Sequence, residues 1–377
     1  MARTGATGPE LDDAAVVRAR FASLLLTNAG SDGRSAEETV AWFGALQGQD
    51  LGSVLWSIGA RTGQSRAELE RELEDGRLVR TWPMRGTLHL VPGEDAAWMV
   101  RHLGAAALIG AAQRRAYLGI EDADAYRAVD VLGEALTGSG GLTRSEAVAA
   151  LHSAGIDASG QRGYHLLWFI SQNGLTCIGA QRGKEQTFHL LSELAPAGPD
   201  LDREEALATI AARFVRGHGP VSAHDLARWA GLSVTESRTA ISAVDGLVPV
   251  QHDGRALVVT PEALGVATSG AADLPSRALP GFDEFVLGYR DRTAQLDREH
   301  EKVVVPGGNG VFANTLVRDG RVVGTWKRRA LTRSVVITAT PFQRLAGPVR
   351  DDLTVALVRY ADHLGLTPKV EWGPADS

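Results

Sequence analysis

The strongest constraint on the fold of this 377-residue chain is an order of signals that occurs three times. Each copy has a helix, a second helix opening after Gly with Thr or Ser, a third helix, and two short strands joined by a turn. This is the order of a winged helix-turn-helix. The third copy is the clearest. Asp202 caps a helix running through Phe214, Gly219 to Leu226 start the next, and Ser233 with Glu236 caps a third. Strands over 247–250 and 256–260 then turn at Asp253-Gly254.

The first copy opens with Val16, Val17, Phe21, Leu24 and Leu25 on one helical face, and Ser35 with Glu38 forms a capping box for the next helix. Its wing is expected as a hairpin over 78–91, with Pro83 confining the first strand to an edge or a bulge. The second copy opens a helix by capping within Gly141 to Glu146, places its recognition helix over 161–171, and ends in strands over 175–178 and 186–191. Beyond a Gly/Ala/Ser/Pro-rich stretch, segments 303–305, 310–318, 321–327 and 333–340 read as strands. Asp319-Gly320 forms a hairpin turn and 348–364 a closing helix.

The expected fold is therefore α+β: three tandem winged-helix motifs followed by a C-terminal β-barrel-like domain or curled sheet with one helix on it. The expected division is a disordered start (1–11), a first winged helix (12–92), connecting helices (93–123), a second (124–192) and third winged helix (200–262), a linker (263–280) and the β-rich domain (281–377).

A formal net charge of -6 does not by itself suggest nucleic acid, so any DNA surface must be a local patch. The single cysteine, Cys177, excludes an intramolecular disulfide and a cysteine-based zinc site, and its apolar surroundings read as a buried, inert thiol. No segment approaches the roughly 20 apolar residues of a membrane span, and the first ten residues lack a signal-peptide core. A cytoplasmic monomer that makes no membrane contact is expected.

Few motifs carry chemistry. There is no His-Glu-x-x-His, Gly-x-Ser-x-Gly or Walker sequence. A carboxylate pair suited to an ordinary glycosidase is also missing. Asp297, Glu299 and Glu301 lie with Arg298 and His300 in what reads as a solvated loop, so neither a metal nor another cofactor is expected. Trp82, Trp98, Trp168 and Trp229 read as core anchors. What remains is Gln47-Gly48-Gln49-Asp50 at the end of an apolar stretch. It reads either as a polar helix end satisfying free carbonyls or as a site whose weak amides demand a substrate that is already activated.

Ala45 to Asp50, Thr81 to Val91 and Leu279 to Arg292 together resemble the winged-helix DNA glycosylases of the AlkZ and YcaQ type, in order and across nearly the whole chain. Arg85-Gly86-Thr87-Leu88-His89-Leu90 is the most specific block. The resemblance implies winged helices around a concave DNA channel and removal of guanine alkylated at position 7, including bulky adducts or interstrand crosslinks of a DNA-alkylating natural product, as self-resistance. The partner it implies is double-stranded DNA carrying alkylated guanine. It makes Gln47 and Gln49 the catalytic pair of the Gln-x-Gln branch, with Asp50 as an electrostatic accessory. Gly48 stands where the family carries a larger apolar residue, which would loosen the turn.

For DNA contact the best basic residues are Arg80 and Arg85 on the wing, Arg114, Arg115, Lys327, Arg328 and Arg329, each of which also reads as a solvated charge. His89 reads equally as a DNA contact or as a ring satisfying a nearby backbone group. A non-enzymatic winged-helix regulator is the competing function, predicting sequence-specific binding without base release. A protein-assembly role would predict no DNA affinity.

Overall fold

The computed structural model describes residues 8–27, 33–270, 274–308 and 310–375. In chain order the elements are α1 (Asp13–Ser23), α2 (Ala36–Phe43), β1 (Leu46–Gln47), α3 (Leu51–Thr62), α4 (Arg66–Glu74), β2 (Leu78–Met84) and β3 (Thr87–Pro92). There follow α5 (Ala96–Leu103), α6 (Ala105–Gly110), α7 (Ala112–Tyr117), α8 (Asp122–Leu136), β4 (Leu142–Thr143), α9 (Arg144–Ser153), α10 (Gly160–Gln172), β5 (Thr176–Ile178), β6 (Thr187–Leu190) and α11 (Leu191–Leu194). Next come α12 (Arg203–His218), α13 (Ala223–Ala230), α14 (Val234–Ser242), β7 (Val248–His252), β8 (Arg255–Val259), α15 (Pro261–Thr268), β9 (Arg277–Leu279) and α16 (Glu284–Leu287). The chain ends with α17 (Glu301–Val304), β10 (Asn314–Arg318), β11 (Arg321–Ala330), β12 (Ser334–Pro341), α18 (Gly347–Leu364) and β13 (Thr367–Trp372). The fold is mixed α+β.

Two compact units share the chain. One contains residues 1–43, 50–69 and 208–377, the other 44–49 and 70–207. The chain thus enters the second unit at Gly44, leaves it after Gln49, and returns at Glu70.

The second unit is built on a six-stranded sheet in the order β1-β3-β2-β5-β6-β4. The hairpin of β2 and β3 turns on Arg85 and Gly86, with φ of 56° and 64°, between the paired residues Met84 and Thr87. Positive φ at both central positions is the type I′ arrangement that matches strand twist. The register of β2 shifts between Thr81 and Met84, so Pro83 is accommodated by a bulge. β2 is not an edge strand, because Arg80 pairs with Ile178 of β5. Trp82, Leu132, Leu166, Phe169 and Phe188 fill the core beside this sheet.

The first unit carries the capped helices the sequence signals. Ser35 and Glu38 bond reciprocally, Ser233 with Glu236 does the same, and Asp253-Gly254 turns β7 into β8 with φ of 49° and 71°. Its larger sheet runs β13-β12-β11-β10-β9, with β13 parallel to β12 and the other pairs antiparallel. The expected barrel is not closed: the order has two ends, and β9 and β13 do not pair with each other among the described residues. α18 does the covering that closure would otherwise do. Leu353, Leu357 and Tyr360 of α18 join Leu316, Trp326 and Ile337 in one buried cluster.

Three local expectations change. Segment 303–305 lies at the end of α17 and just beyond it, and β10 starts only at Asn314. β13, which the sequence reading missed, follows α18 as an edge strand with largely exposed residues, so it lacks the apolar alternation that would reveal it. Residues 1–7 of the expected disordered start and 271–273 of the Gly/Ala/Ser/Pro-rich stretch lie outside the described residues, as does Asn309. Leu11 is hydrogen-bonded to Gln251 at 2.8 Å and buried.

Candidate functional site

Gly44, at φ 88°, ends α2 and turns the chain into β1. Gln47 is therefore not a helix terminus. It sits in a two-residue strand, paired antiparallel with β3 so that Leu46 faces Leu90 and Gln47 faces His89. The Gly48 N–H continues the ladder to the Leu88 carbonyl at 2.8 Å. A Cβ at Gly48 would lie 3.0 Å from the Leu90 nitrogen and 3.1 Å from the His89 carbonyl carbon. Glycine here does not loosen the turn. It allows close approach to β3, and the ladder holds the segment.

Gln47 is buried, with 7% exposure, and Gln49 is exposed. The Gln47 Nε2 donates to Gln49 Oε1 at 2.8 Å. This bond uses one amide to orient the other and leaves Gln47 Oε1 as an acceptor without a protein partner among the described residues.

His89 is buried at 1% exposure, so its expected role as a DNA contact gives way to the alternative reading. Its Nδ1 meets the Thr87 carbonyl at 2.8 Å, and its Nε2 meets Arg85 Nη2 at 3.0 Å. Arginine can only donate and a carbonyl can only accept, so Nδ1 carries the proton and Nε2 the lone pair. Burial, together with the Arg85 charge and despite the Thr87 carbonyl, pushes the imidazole down to about 3. The ring is neutral.

Asp50 belongs to the first unit. Its carboxylate caps α3 by accepting from the Ser53 N–H at 3.1 Å, and it meets Arg328 at 3.2 Å. Arg328 also reaches Ser53 Oγ at 3.4 Å and lies over the Tyr360 ring at 5.5 Å. α3 is anchored further along by Trp56, which donates to the Ala278 carbonyl at 2.8 Å and packs on Tyr360.

The proposed phosphate-binding residues separate into distinct groups. Arg80 is 1% exposed inside the sheet, where a duplex cannot reach it, so its expected role is withdrawn. Arg115 is mostly covered and paired with Asp122 at 2.8 Å. Arg114 is exposed, donates to Gln161 and lies 5.0 Å over Tyr117. Lys327 and Arg329 are exposed on β11, and Arg85 is half-buried at the hairpin tip. The adjacent residues Arg80 and Thr81 are both buried, so both faces of β2 are covered, which the sequence did not disclose.

The structure adds a cationic cavity of about 860 Å³ in the first unit, lined by six arginines and three carboxylates among other residues. Arg255 is paired with Asp291, and Arg292 with Glu301 at 3.2 Å. Arg238 on α14, Arg290 and Arg298 are exposed and have no carboxylate partner among the described residues. These three are scattered in sequence, so no charge run marks them.

Asp283 and Glu284, from the third block that resembles known glycosylases, are buried framework groups. Asp283 accepts from Arg61 at 2.8 and 3.0 Å and from Ser57 at 2.7 Å, and caps α16. Burial would raise its carboxyl, but the Arg61 charge and these hydrogen bonds outweigh that and hold it low. Glu284 meets His218 at 3.1 Å and accepts from Trp229 at 3.0 Å. Asp297, Glu299 and His300 approach one another as cation ligands would, yet Asp297 is paired with Arg321 and Glu299 with His300 at 3.4 Å. Cys177 is buried, which pushes its thiol up to about 12. Among the described residues no helix is long and apolar enough to cross a membrane.

The chain is 26% identical over 328 residues to an interstrand DNA cross-link repair glycosylase from Streptomyces sahachiroi, covering 81% of this chain and 85% of that protein. The solved structure of the Streptomyces sahachiroi DNA glycosylase AlkZ superposes with a TM-score of 0.76 at 23% identity, covering 96% of this chain and all of that one, which establishes likeness of fold. Residues 40–363 match the family described as DNA glycosylase AlkZ-like. The chain belongs to that family and is a DNA glycosylase.

Proposed function

We propose that this DNA glycosylase hydrolyses the N-glycosidic bond of guanine alkylated at position 7, in bulky adducts or interstrand crosslinks, with Gln47 and Gln49 as the catalytic residues. The carrying observation is the Gln47–Gln49 hydrogen bond on a strand pinned to β3, which presents an oriented amide oxygen beside an exposed amide. Alkylation at the ring nitrogen makes the base cationic. The electron pair of the glycosidic bond then flows to the base, neutralises it and needs no acid. What the site must supply is a placed water and a partial negative charge facing the developing oxocarbenium ion. Gln47 Oε1 accepts a hydrogen bond from that water and faces the cationic sugar. Water adds to the anomeric carbon and its proton passes to solvent. Asp50 serves as a positioning residue, fixing the start of α3 and Arg328.

In this reading the helix-helix-hairpin segments are three tandem winged helices that hold duplex DNA, and Arg238, Arg290 and Arg298 supply phosphate contacts that the buried Arg80 does not. Incubation with duplexes carrying 7-methylguanine or a bulky position-7 adduct, followed by detection of alkali-labile abasic sites, tests the reaction. Release of the damaged base is expected. Specific duplex binding with no base release from either lesion would favour the regulator instead.

A further inference from the structure

The five tyrosines of this chain divide between its two units. Tyr289 and Tyr360, in the first, are buried, whereas Tyr117, Tyr126 and Tyr164, in the second, are 79%, 59% and 55% exposed. Tyr126 leans edge-on against Phe169, with ring centroids 5.5 Å apart. The other two each carry a cation: the Arg114 guanidinium lies 5.0 Å over the Tyr117 ring, and that of Arg144 lies 5.7 Å over Tyr164. Neither arginine has a carboxylate partner among the described residues. A guanidinium covers one face of a ring only, so at such exposure much of each ring still meets water.

The two pairs form one strip. Tyr164 and Gln161 stand one turn apart on α10, and the Gln161 side chain accepts a hydrogen bond from Arg114 of α7. Arg144, at the start of α9, extends the strip beyond Tyr164. α7 and the neighbouring α6 contain no buried residue, although α6 consists only of alanine, leucine, isoleucine and glycine, and its Ile109 is 79% exposed. Apolar surface left open in this way marks a binding face.

The chemistry of the strip selects its partner. Arginines without carboxylate partners favour a polyanion, and open aromatic faces favour flat rings. In a duplex each base face is covered by its neighbours and only edges show in the grooves, whereas unpaired bases offer their faces. Alternating cations and rings suit single-stranded nucleic acid bound without sequence preference. We propose that this strip binds single-stranded DNA, with bases stacked on Tyr117 and Tyr164 and phosphates on Arg114 and Arg144, so that the enzyme favours duplexes carrying an unpaired arm. The proposal does not depend on the assignment of Gln47 and Gln49.

The test is anisotropy titration of the full chain with three undamaged probes: a blunt duplex, the same duplex with an oligothymidylate overhang, and oligothymidylate alone. The overhang should tighten binding about tenfold, the scale of stacking one base on an aromatic ring. Tyr117→Ala and Tyr164→Ala should each remove most of that gain and leave blunt-duplex affinity as it was. Tyr117→Phe, which keeps the ring, should retain the gain. Replacing Arg114 and Arg144 together with glutamine should weaken oligothymidylate binding and lower its slope of log affinity against log salt by about 1.4, at roughly 0.7 per phosphate. Equal affinities for the blunt and overhanging duplexes would overturn the proposal, as would a gain that survives both alanine substitutions. An equal fall on both duplexes would overturn it too, because the strip would then hold paired backbone. So would a lack of affinity for oligothymidylate, which would leave this face to a protein partner. Thermal melting separates a lost contact from a lost fold, and if it falls in an alanine variant the arginine pair decides. Base release plays no part in these readings, so their failure leaves the catalytic reading standing, and the reverse also holds.

Discussion

Gln47 and His89 face each other across the β1–β3 ladder, and the ring of His89 is fixed in its Nδ1–H form by the Thr87 carbonyl on one side and Arg85 on the other. The residue opposite the proposed catalytic amide is thus uncharged and held at both ring nitrogens. It ties the β2–β3 turn to β1 through its ring contacts and its pairing with Gln47. A protonated imidazole there would lose its bond from Arg85 and face it as a like charge.

Stability should therefore depend on acid in a defined way. The His89 pKa is depressed to about 3 in the folded state, against an ordinary value near 6.5. Between these values the unfolded chain binds the extra proton, so stability is fully present above about pH 6.5 and is lost as pH falls toward 3, by up to about 1.4 kcal/mol per pH unit. Urea unfolding of the protein and of His89→Gln, followed from pH 7 to pH 4.5, should show a shallower decline in the variant. Parallel declines would remove His89 from this account.

Gln47→Ala and Gln49→Ala should each lower base release about a hundredfold, the usual scale for deleting one electrostatic contact to a transition state, with duplex affinity kept. Single-turnover excision with saturating protein separates the two effects. Unchanged single-turnover rates in both variants would refute the assignment.

Asp50→Asn keeps a cap-forming side chain at the start of α3, whereas Asp50→Ala removes it. The alanine variant should lose about 1 kcal/mol of stability and the asparagine variant much less. If activity follows stability across the two, Asp50 acts by positioning. A large loss of activity in Asp50→Asn at native stability would instead mean that its charge takes part in the chemistry.

Arg61 and Asp283 form a pair that is nearly inaccessible to solvent on both sides. Removing one partner strands the other, so Arg61→Met should cost about 3–5 kcal/mol, while the double substitution Arg61→Met with Asp283→Leu should cost clearly less than the sum of the singles. Chemical denaturation of the three variants gives the comparison, and simple additivity would contradict the coupling.

Arg238, Arg290 and Arg298 should carry a share of duplex binding. Replacing all three with alanine should weaken binding to undamaged DNA and reduce the slope of log affinity against log salt by up to about 2.7, at roughly 0.9 per phosphate released. A slope equal to that of the unaltered protein would place the duplex elsewhere.

Much of this was legible in the residues. Capping boxes at Ser35, Thr143 and Ser233 and the Asp-Gly turns at 253–254 and 319–320 are local devices, so they appear in the sequence as they appear in the fold. The Gln-x-Gln pair was visible as chemistry, but its strand was not, because a two-residue strand gets its conformation from β3 and has no period of its own. Arg80 read as a surface residue for a similar reason. Alternation on one strand cannot reveal that β5 pairs with β2 and α10 packs against it.

The passage of the chain into the second unit at Gly44 and out again after Gln49 has a consequence for biogenesis. The two glutamines are made before the hairpin that seats them, so in an emerging chain Leu46 and Gln47 have no strand to pair with. The Gln47 strand takes its place only when β3 has been synthesised and paired.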